Sequence, residues 1–188
     1  SIATFSRFKR ASPSFIEANK QIFEQFPVII IDSGGGEALR EMASCYIREQ
    51  VSLWEARRLG YSKTQTPYVL NLDSDVLIPK GYIEQALAIL ERQPKVGAVS
   101  LFFEDIRHRG ILEYGISLWR TEVVKRLYDY DPRKLERTDI IQLSPQRFVT
   151  VRHGYCECLY MWEQLLNSGY KLETLPIRAK HLKVRLNA

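Results

Sequence analysis

Two aspartates separated by one residue follow an apolar segment near the middle of the chain. Asp73 and Asp75 come directly after residues 68–72, whose composition predicts a strand buried on both faces. In open α/β sheets, ligands bind beyond the carboxyl ends of the strands. Magnesium and manganese bind one or two such carboxylates together with the oxygens of a substrate diphosphate. The pattern therefore predicts a divalent-cation site, although a polar turn after a strand would use the same residue types.

A third aspartate, Asp32, ends another apolar segment, residues 28–31, which also predicts a buried strand. Because parallel strands bring their carboxyl ends to one edge of a sheet, Asp32 is expected near Asp73 and Asp75. Its carboxylate could accept a hydrogen bond from an N–H group of a nucleotide base, or it could cap the following helix. The glycines at positions 34–36 match neither the dinucleotide-binding G-x-G-x-x-G pattern nor the phosphate-binding G-x-x-x-x-G-K-[ST] pattern.

Alternating strands and helices would position these carboxylates. We predict strands at residues 2–6, 28–31, 68–72 and 96–103, with helices at 13–26, 53–63 and 82–92 between them. Residues 37–45 look helical, and residues 46–50 fit a strand or more helix. This alternation predicts an α/β fold with a mostly parallel sheet. Later in the chain we predict an extended segment at 111–119, a helix at 121–128, a strand at 148–152, a helix at 155–168 and a last strand at 171–175.

Composition and charge restrict the class of protein. A chain of 188 residues suits a single domain. Nothing resembles a membrane-spanning segment or a signal peptide, so we expect a cytoplasmic protein. The three cysteines are an odd number, which favours reduced thiols, and their spacing does not fit a structural zinc site. The net charge of +5 fits several anionic partners, but without an RNA-binding or zinc-finger signature we expect no nucleic acid.

Taken in order, several segments resemble a family-two glycosyltransferase with the GT-A fold. They are IATFSR, VIIIDSGGG, EARRLG, TPYVLNLDSDVLIPKGYIEQAL and YCECLYMWEQLLNSGYKLETLP, followed by a histidine. The resemblance implies a single-domain, Rossmann-like α/β fold with a mostly parallel central sheet flanked by helices and a smaller mixed or antiparallel part on the acceptor side. It also implies an enzyme that uses magnesium or manganese to move a sugar from a UDP- or GDP-sugar to a glycan, protein or lipid acceptor. Residues 1–103 would bind the donor and residues 104–188 the acceptor.

The resemblance assigns roles to individual residues. Thr4 and Asp32 would contact the base and ribose of the donor. Asp73 and Asp75 would hold the cation and the sugar diphosphate. Arg57 matches the family arginine near the donor, whereas the next residue is an arginine in place of the family asparagine. That second arginine could simply be a solvated basic side chain.

The catalytic base departs from the family pattern. The family carries a Glu-Asp pair at the start of the helix that ends in a Gly-aromatic pair, and the aspartate is the base. Counting back along this chain places Glu157 at the glutamate and Cys158 at the aspartate. Because a neutral thiol is a poor base, we predict Glu157 as the base, with Asp139 and His153 as weaker candidates. An acidic residue is also favoured near a helix N-terminus for its charge alone. The anomeric outcome stays open.

His181 follows the last predicted strand, where some family members supply a metal ligand, and an imidazole would favour manganese. It could instead be a surface histidine in the basic segment 178–185. That segment could rest on an anionic membrane, as a peripheral contact, or be a frayed terminus. Several aromatic residues could line an acceptor pocket or belong to the core, namely Trp119, Tyr128, Tyr130 and Trp162.

Two other functions fit parts of the pattern. A sugar-phosphate nucleotidyltransferase also needs an α/β sheet and metal-binding carboxylates. Such enzymes resemble one another in a glycine-rich loop with a trailing arginine after the first strand, and this chain has Phe5-Ser6-Arg7-Phe8 there. The second is a glycosyltransferase-like module that binds a nucleotide sugar or glycan without turnover, which the cysteine at position 158 keeps open.

Overall fold

The computed structural model describes residues 1–6, 13–34, 37–103, 115–129, 137–144, 147–153 and 157–182. Side chains are described for residues 1–3, 15–34, 37–102, 115–129 and 160–182. The elements in chain order are β1 (Ile2–Ser6), α1 (Pro13–Gln25), β2 (Val28–Asp32), a 3₁₀ helix (Glu37–Met42), β3 (Cys45–Arg48), α2 (Leu53–Lys63), β4 (Tyr68–Asp73), β5 (Val76–Leu77), α3 (Tyr82–Arg92), β6 (Val96–Phe103), β7 (Ile116–Arg120), α4 (Thr121–Leu127), β8 (Arg137–Ser144), β9 (Arg147–His153), α5 (Glu157–Asn167) and β10 (Lys171–His181).

One large mixed sheet organises the molecule, with strand order β3-β2-β1-β4-β7-β6-β10-β5. The pairs β2–β3, β1–β2, β1–β4 and β6–β10 are parallel, whereas β7 runs antiparallel to both its neighbours and β5 runs antiparallel to β10. Strands β8 and β9 form a separate antiparallel hairpin. The predicted α/β class, with a mostly parallel central sheet and a smaller antiparallel part, is confirmed.

Helices cover both faces of this sheet, and the alternation of side chains along β4 shows which face each residue belongs to. Leu70 and Leu72 lie in the core cluster that contains Phe15 of α1. Val69 lies in the cluster that contains Tyr61 of α2. Because successive strand residues point to opposite faces, the odd-numbered positions of β4 face α2. The aspartate that ends the strand is one of them.

Helix α2 begins and ends where the sequence predicts, at residues 53 and 63. Its start is a capping box. Ser52 Oγ accepts a hydrogen bond from the Glu55 N–H at 3.2 Å, and Glu55 Oε2 accepts one from the Ser52 N–H at 3.0 Å. This reciprocal pair satisfies backbone donors that the first helical turn leaves without partners. Among the helices in the described part of the chain, none has both the length and the apolar character needed to cross a membrane.

Two predicted elements are wrong in their extent. The helix expected at residues 37–45 is a 3₁₀ helix that ends at Met42, and β3 follows it. The last strand, expected to end before Pro176, continues to His181. Proline lacks the N–H that a sheet ladder requires, and the register between β6 and β10 shifts between Thr174 and Arg178. The first four residues of the basic segment 178–185 are therefore strand; residues 183–185 lie outside the described residues.

Strand β5 is only two residues long and immediately follows Asp75, so its anchoring affects the candidate site. On one edge it pairs with β10. On the other edge, the fully buried Asn19 of α1 takes the place of a neighbouring strand. Asn19 Nδ2 donates to the Val76 carbonyl at 3.0 Å, and Asn19 Oδ1 accepts from the Ile78 N–H at 3.0 Å. A side-chain amide thus satisfies a backbone donor and acceptor that would otherwise be buried unpaired.

Replacing Asn19 should test this anchor. Asn19→Leu keeps the approximate side-chain shape but leaves the Val76 carbonyl and the Ile78 N–H without their partner. Because each unsatisfied buried group costs about 1–3 kcal/mol, we expect the free energy of unfolding to fall by roughly 2–5 kcal/mol in urea denaturation. The control is Gln21→Leu, an exposed position on the same helix, which should change it by less than about 0.5 kcal/mol. Equal stability of the two variants would contradict the anchoring role.

Candidate functional site

An ion pair joins the end of β4 to α2. Arg57 Nη2 lies 2.6 Å from Asp73 Oδ1. The Arg57 side chain is 6% exposed and the Asp73 side chain is 38% exposed. The guanidinium is therefore a buried cation whose charge is balanced by a carboxylate that remains open to solvent. This arrangement fixes one Asp73 oxygen and holds the carboxylate at the carboxyl end of the sheet.

A second polar contact sets the register between α2 and β4. Tyr61 donates its hydroxyl proton to Asn71 Oδ1 at 2.9 Å, and both residues are buried. Tyr61 lies four residues after Arg57 on the helix, a rise of about 6 Å. Asn71 lies two residues before Asp73 on the strand, a rise of about 6 to 7 Å. Because the two spacings match, a single register of the helix on the sheet makes both contacts.

The turn after Asp73 leads through Asp75 into β5, where the C-terminal strand meets it. The Leu182 N–H donates to the Asp75 carbonyl at 2.6 Å, and His181 pairs with Val76. His181 is therefore brought beside Asp75 from more than a hundred residues away in sequence. Within the described side chains, no group of three His, Cys, Asp or Glu residues could hold a metal ion by itself. The carboxylates at this turn still suit a hard cation that takes its other ligands from a diphosphate and water.

Asp32 ends β2 with its carboxylate buried and hydrogen-bonded. Its Oδ1 accepts from the Gly34 N–H at 2.8 Å, and its Oδ2 accepts from the Tyr46 hydroxyl at 2.6 Å. Burial of the phenol, followed by its hydrogen bond to Asp32 and the charge of Asp32, raises the pKa of Tyr46 to about 12. The hydroxyl therefore stays protonated, as a donor to Asp32, throughout the neutral pH range.

The sheet brings Asp32 and Asp73 to the same edge, as predicted, but on opposite faces. Two consecutive residues of β1 pair with them: Phe5 is in register with Asp73, and Ser6 is in register with Asp32. Neighbouring residues of a strand point to opposite faces, so Asp32 belongs to the face of α1 and Asp73 to that of α2. Strands β2 and β4 are separated by β1, on the order of 10 Å in total. A ligand that contacted both carboxylates would have to lie across the edge of the sheet.

Several other predicted residues fall in the core or on the surface. Trp119 and Trp162 stack on each other with ring centroids 5.2 Å apart, and Tyr128 stacks on Trp54 at 4.0 Å. All of these rings are buried, which places Trp119 and Trp162 in the core; Tyr128 also lines a surface pocket together with Arg58 and Lys125, so its acceptor role stays a prediction. Tyr130 lies outside the described residues. Arg58 is a solvated side chain, 60% exposed, whose Nη2 lies 3.6 Å from Asp129 Oδ1.

For the remaining candidates, only the backbone is described. Helix α5 begins at Glu157, the predicted base, and Cys158 follows it. In the β8–β9 hairpin, Asp139 pairs with Val151 and His153 pairs with Arg137. Thr4 lies in the middle of β1, in register with Ile30 and Leu72. The side chains of Glu157, Asp139, His153 and Thr4 are not among those that the structure describes. Their roles therefore stay predictions.

The sequence matches the model of glycosyl transferase family 2 over residues 2–138. The chain belongs to this family. The match covers β1 to the start of β8, including the Arg57–Asp73 pair and the turn at Asp75. No curated protein matches the sequence at a significant level.

Solved glycosyltransferases share the fold of this family 2 chain. A mannosyltransferase, PcManGT from Pyrobaculum calidifontis in complex with GDP-Man and Mn²⁺, superposes with a TM-score of 0.69 at 16% identity, covering 99% of this chain and 57% of that one. TarS (residues 1–349) from S. aureus in complex with UDP-GlcNAc superposes with a TM-score of 0.63 at 13% identity, covering 98% and 59%. The chain thus spans less than two thirds of either structure.

The fold is not confined to glycosyltransferases. A 2-C-methyl-D-erythritol 4-phosphate cytidylyltransferase from Thermus thermophilus superposes with a TM-score of 0.56 at 12% identity, covering 94% of this chain and 88% of that one. Identities this low show a common fold and nothing finer. Family membership, and not the architecture, is what separates this chain from the nucleotidyltransferases.

Sequence reasoning found Arg57 through the family resemblance, but it missed two tyrosines of the site: Tyr46, which contacts Asp32, and Tyr61, which contacts Asn71. Tyr46 and Tyr61 were not singled out, because nothing in their local sequence distinguishes them from core aromatics. A usable signal does exist for Tyr61. Tyr61 lies four positions after Arg57 on the helix, and Asn71 lies two positions before Asp73 on the strand. Because these spacings cover the same distance, a contact between Arg57 and Asp73 predicts one between Tyr61 and Asn71. No comparable spacing identifies Tyr46, which reaches Asp32 from a neighbouring strand.

Removing the Tyr61 hydroxyl should loosen the register of α2 on β4. We expect Tyr61→Phe to lower the free energy of unfolding by about 1–2 kcal/mol, because Asn71 Oδ1 loses a buried donor. Chemical denaturation measures the change, and Tyr170→Phe, at a half-buried position outside α2, is the control. A Tyr61→Phe variant as stable as the wild type would show that the hydrogen bond does not hold the register.

Proposed function

We propose that the protein transfers a sugar from a nucleotide-diphosphate sugar to an acceptor, with a divalent cation held at Asp73 and Asp75. The observation that carries the proposal is the Arg57–Asp73 ion pair at the carboxyl end of β4, next to the Asp75 turn, in a chain that belongs to glycosyl transferase family 2. In this scheme residues 1–103 form the donor half and residues 104–188 the acceptor half.

The donor is proposed to be a UDP- or GDP-sugar. The solved relatives support this choice, because one is in complex with GDP-Man and Mn²⁺ and another with UDP-GlcNAc. Asp32, held by Tyr46 and the Gly34 N–H, would accept a hydrogen bond from the base or the ribose, with Thr4 contributing from β1. The carboxylate is already oriented by two donors, so a nucleotide would meet a group fixed in position.

The cation would be manganese or magnesium. When bound, it would neutralise the charge that develops on the departing nucleotide diphosphate. Asp75 and Asp73 would supply carboxylate oxygens. His181 is proposed as a further ligand because the backbone of β10 passes beside the turn, but its side chain would have to reorient, since the three side chains do not form a ready group of metal ligands. Arg57 keeps the Asp73 carboxylate at the edge of the sheet, facing the donor.

The acceptor would be a glycan, a protein or a lipid. Glu157, at the first residue of α5, is proposed to take the proton from the attacking hydroxyl. The alternative is a module that binds a nucleotide sugar or a glycan without turnover. The specific observation that favours this alternative is Cys158, which stands where the family has its catalytic aspartate.

Donor binding should depend on both carboxylates and on the metal. In calorimetric titrations of UDP- and GDP-sugars with Mn²⁺, we expect Asp73→Asn and Asp75→Asn each to abolish the metal-dependent heat, since a neutral amide neither balances the cation nor orients the diphosphate. Asp129→Asn is the matched control, because its carboxylate is 82% exposed and lies on α4's C-terminal side. Normal metal-dependent binding by either site variant would show that the central assignment is wrong.

Turnover should depend on Glu157 while binding does not. We expect Glu157→Gln to bind the donor normally and to lose at least about 100-fold in transfer or donor hydrolysis, as expected when a general base is removed. Release of nucleoside diphosphate measures the rate. Glu163→Gln, exposed on the same helix, is the control. A wild-type protein that binds the donor but never releases nucleoside diphosphate would favour the non-catalytic module.

A further inference from the structure

Gly115, the residue before β7, lies directly against the Asp73 carboxylate. The Asp73 N–H donates to the Gly115 carbonyl at 2.7 Å, which continues the antiparallel pairing of β4 with β7. A Cβ atom at position 115 would lie 2.5 Å from Asp73 Oδ2 and 3.1 Å from Asp73 Cγ. Both distances are shorter than a carbon atom can approach these atoms without displacement. A side chain at position 115 and the observed position of the carboxylate are therefore incompatible.

The backbone does not require a glycine at position 115. The glycines with positive φ in the described residues are Gly34, Gly81 and Gly169. Gly115 adopts a conformation that other residues also adopt, so its missing side chain matters for space and not for backbone freedom. The Cβ of an alanine at position 115 would meet a carboxylate oxygen, whereas at Gly97 the nearest atoms belong to the apolar side chain of Leu165 and to Tyr170.

The carboxylate cannot move away from position 115 without a loss elsewhere. Its Oδ1 lies 2.6 Å from the buried guanidinium of Arg57. Arg57 is in turn held by the register of α2, which the Tyr61–Asn71 hydrogen bond fixes. Moving Asp73 would break its charge-assisted hydrogen bond to a buried guanidinium, which is unfavourable. Arg57 and Gly115 thus confine the carboxylate from two sides.

We propose that Gly115 is a positioning residue: the space left by its missing side chain sets the rotamer in which the Asp73 carboxylate faces Arg57 and the donor site. The consequence for donor binding rests on the proposed function, whereas the consequence for the Arg57–Asp73 pair does not. Any side chain at position 115 displaces the carboxylate, weakens the ion pair and misplaces an oxygen that the donor and its cation need.

A mutant cycle measured by thermal unfolding tests whether Gly115 positions the Asp73 carboxylate against Arg57. Gly115→Ala should lower the Tm by about 3 °C or more, because it disturbs a partly buried charged contact. In the background Arg57→Met/Asp73→Ala, which leaves neither charge unpaired, adding Gly115→Ala should leave the Tm unchanged or slightly higher. The same decrease in both backgrounds would overturn the proposal, because the clash would then not involve Asp73.

Titration of the donor in the presence of Mn²⁺ tests whether Gly115 affects donor binding. Gly115→Ala should bind UDP- or GDP-sugars about tenfold or more weakly, in line with the loss of one charged hydrogen bond. Gly60→Ala is the control, because its Cβ would meet Ala3 and Ile31 at 3.7 Å, which is ordinary contact. Wild-type affinity in a folded Gly115→Ala variant would overturn the positioning role. If the wild type bound no donor, the proposed function would fail, and the thermal cycle would still decide whether Gly115 positions Asp73.

Discussion

The rest of the candidate site depends on one interaction, the ion pair between Arg57 and Asp73. A guanidinium that is 6% exposed must be paired and hydrogen-bonded within the fold, and Asp73 supplies a carboxylate for it. The fold therefore constrains Asp73 through this contact, although Asp73 itself is more than a third exposed. Helix α2 supplies the guanidinium of Arg57 and β4 supplies the carboxylate of Asp73. Gly115, the residue before β7, leaves room for that carboxylate. The ion pair with a buried guanidinium thus helps to place a carboxylate at the surface.

Much of the fold could be predicted because local and tertiary preferences agree. The helical pattern of residues 53–63 predicts α2, and continuous apolar runs predict the buried strands β2 and β4. The failures occur where tertiary contacts override local signals. Pro176 predicts the end of a strand, yet pairing with β6 resumes beyond it, after a register shift. The segment from Glu37 to Arg48 has no clear period, so its division into a 3₁₀ helix and β3 could not be predicted.

The candidate site likewise contains residues that the sequence predicts and residues that it does not. Residue type and position at strand ends were sufficient to select Asp32, Asp73 and Asp75, since carboxyl ends of parallel strands share an edge. Arg57 was found through the family resemblance, but Tyr46 and Gly115 could not be selected, because they approach from other elements and match no motif. Tyr46 reaches Asp32 from β3, and Gly115, the residue before β7, lies against Asp73 from more than forty residues later in the chain. Sequence spacing carries information along one element, and these contacts are made between elements.

The two aspartates of the central motif are anchored by different means, and this bears on the proposed reaction. Asp73 is held through its side chain by Arg57. Asp75 is held through its backbone, by the Leu182 N–H and by β5, whose outer edge bonds to Asn19. Because Arg57 offsets the charge of Asp73, a cation at this turn would be attracted less than by two unpaired carboxylates. The negative charge of a donor diphosphate would restore the attraction that the cation loses to Arg57. The cation and the nucleotide sugar would therefore bind more tightly together than either would alone.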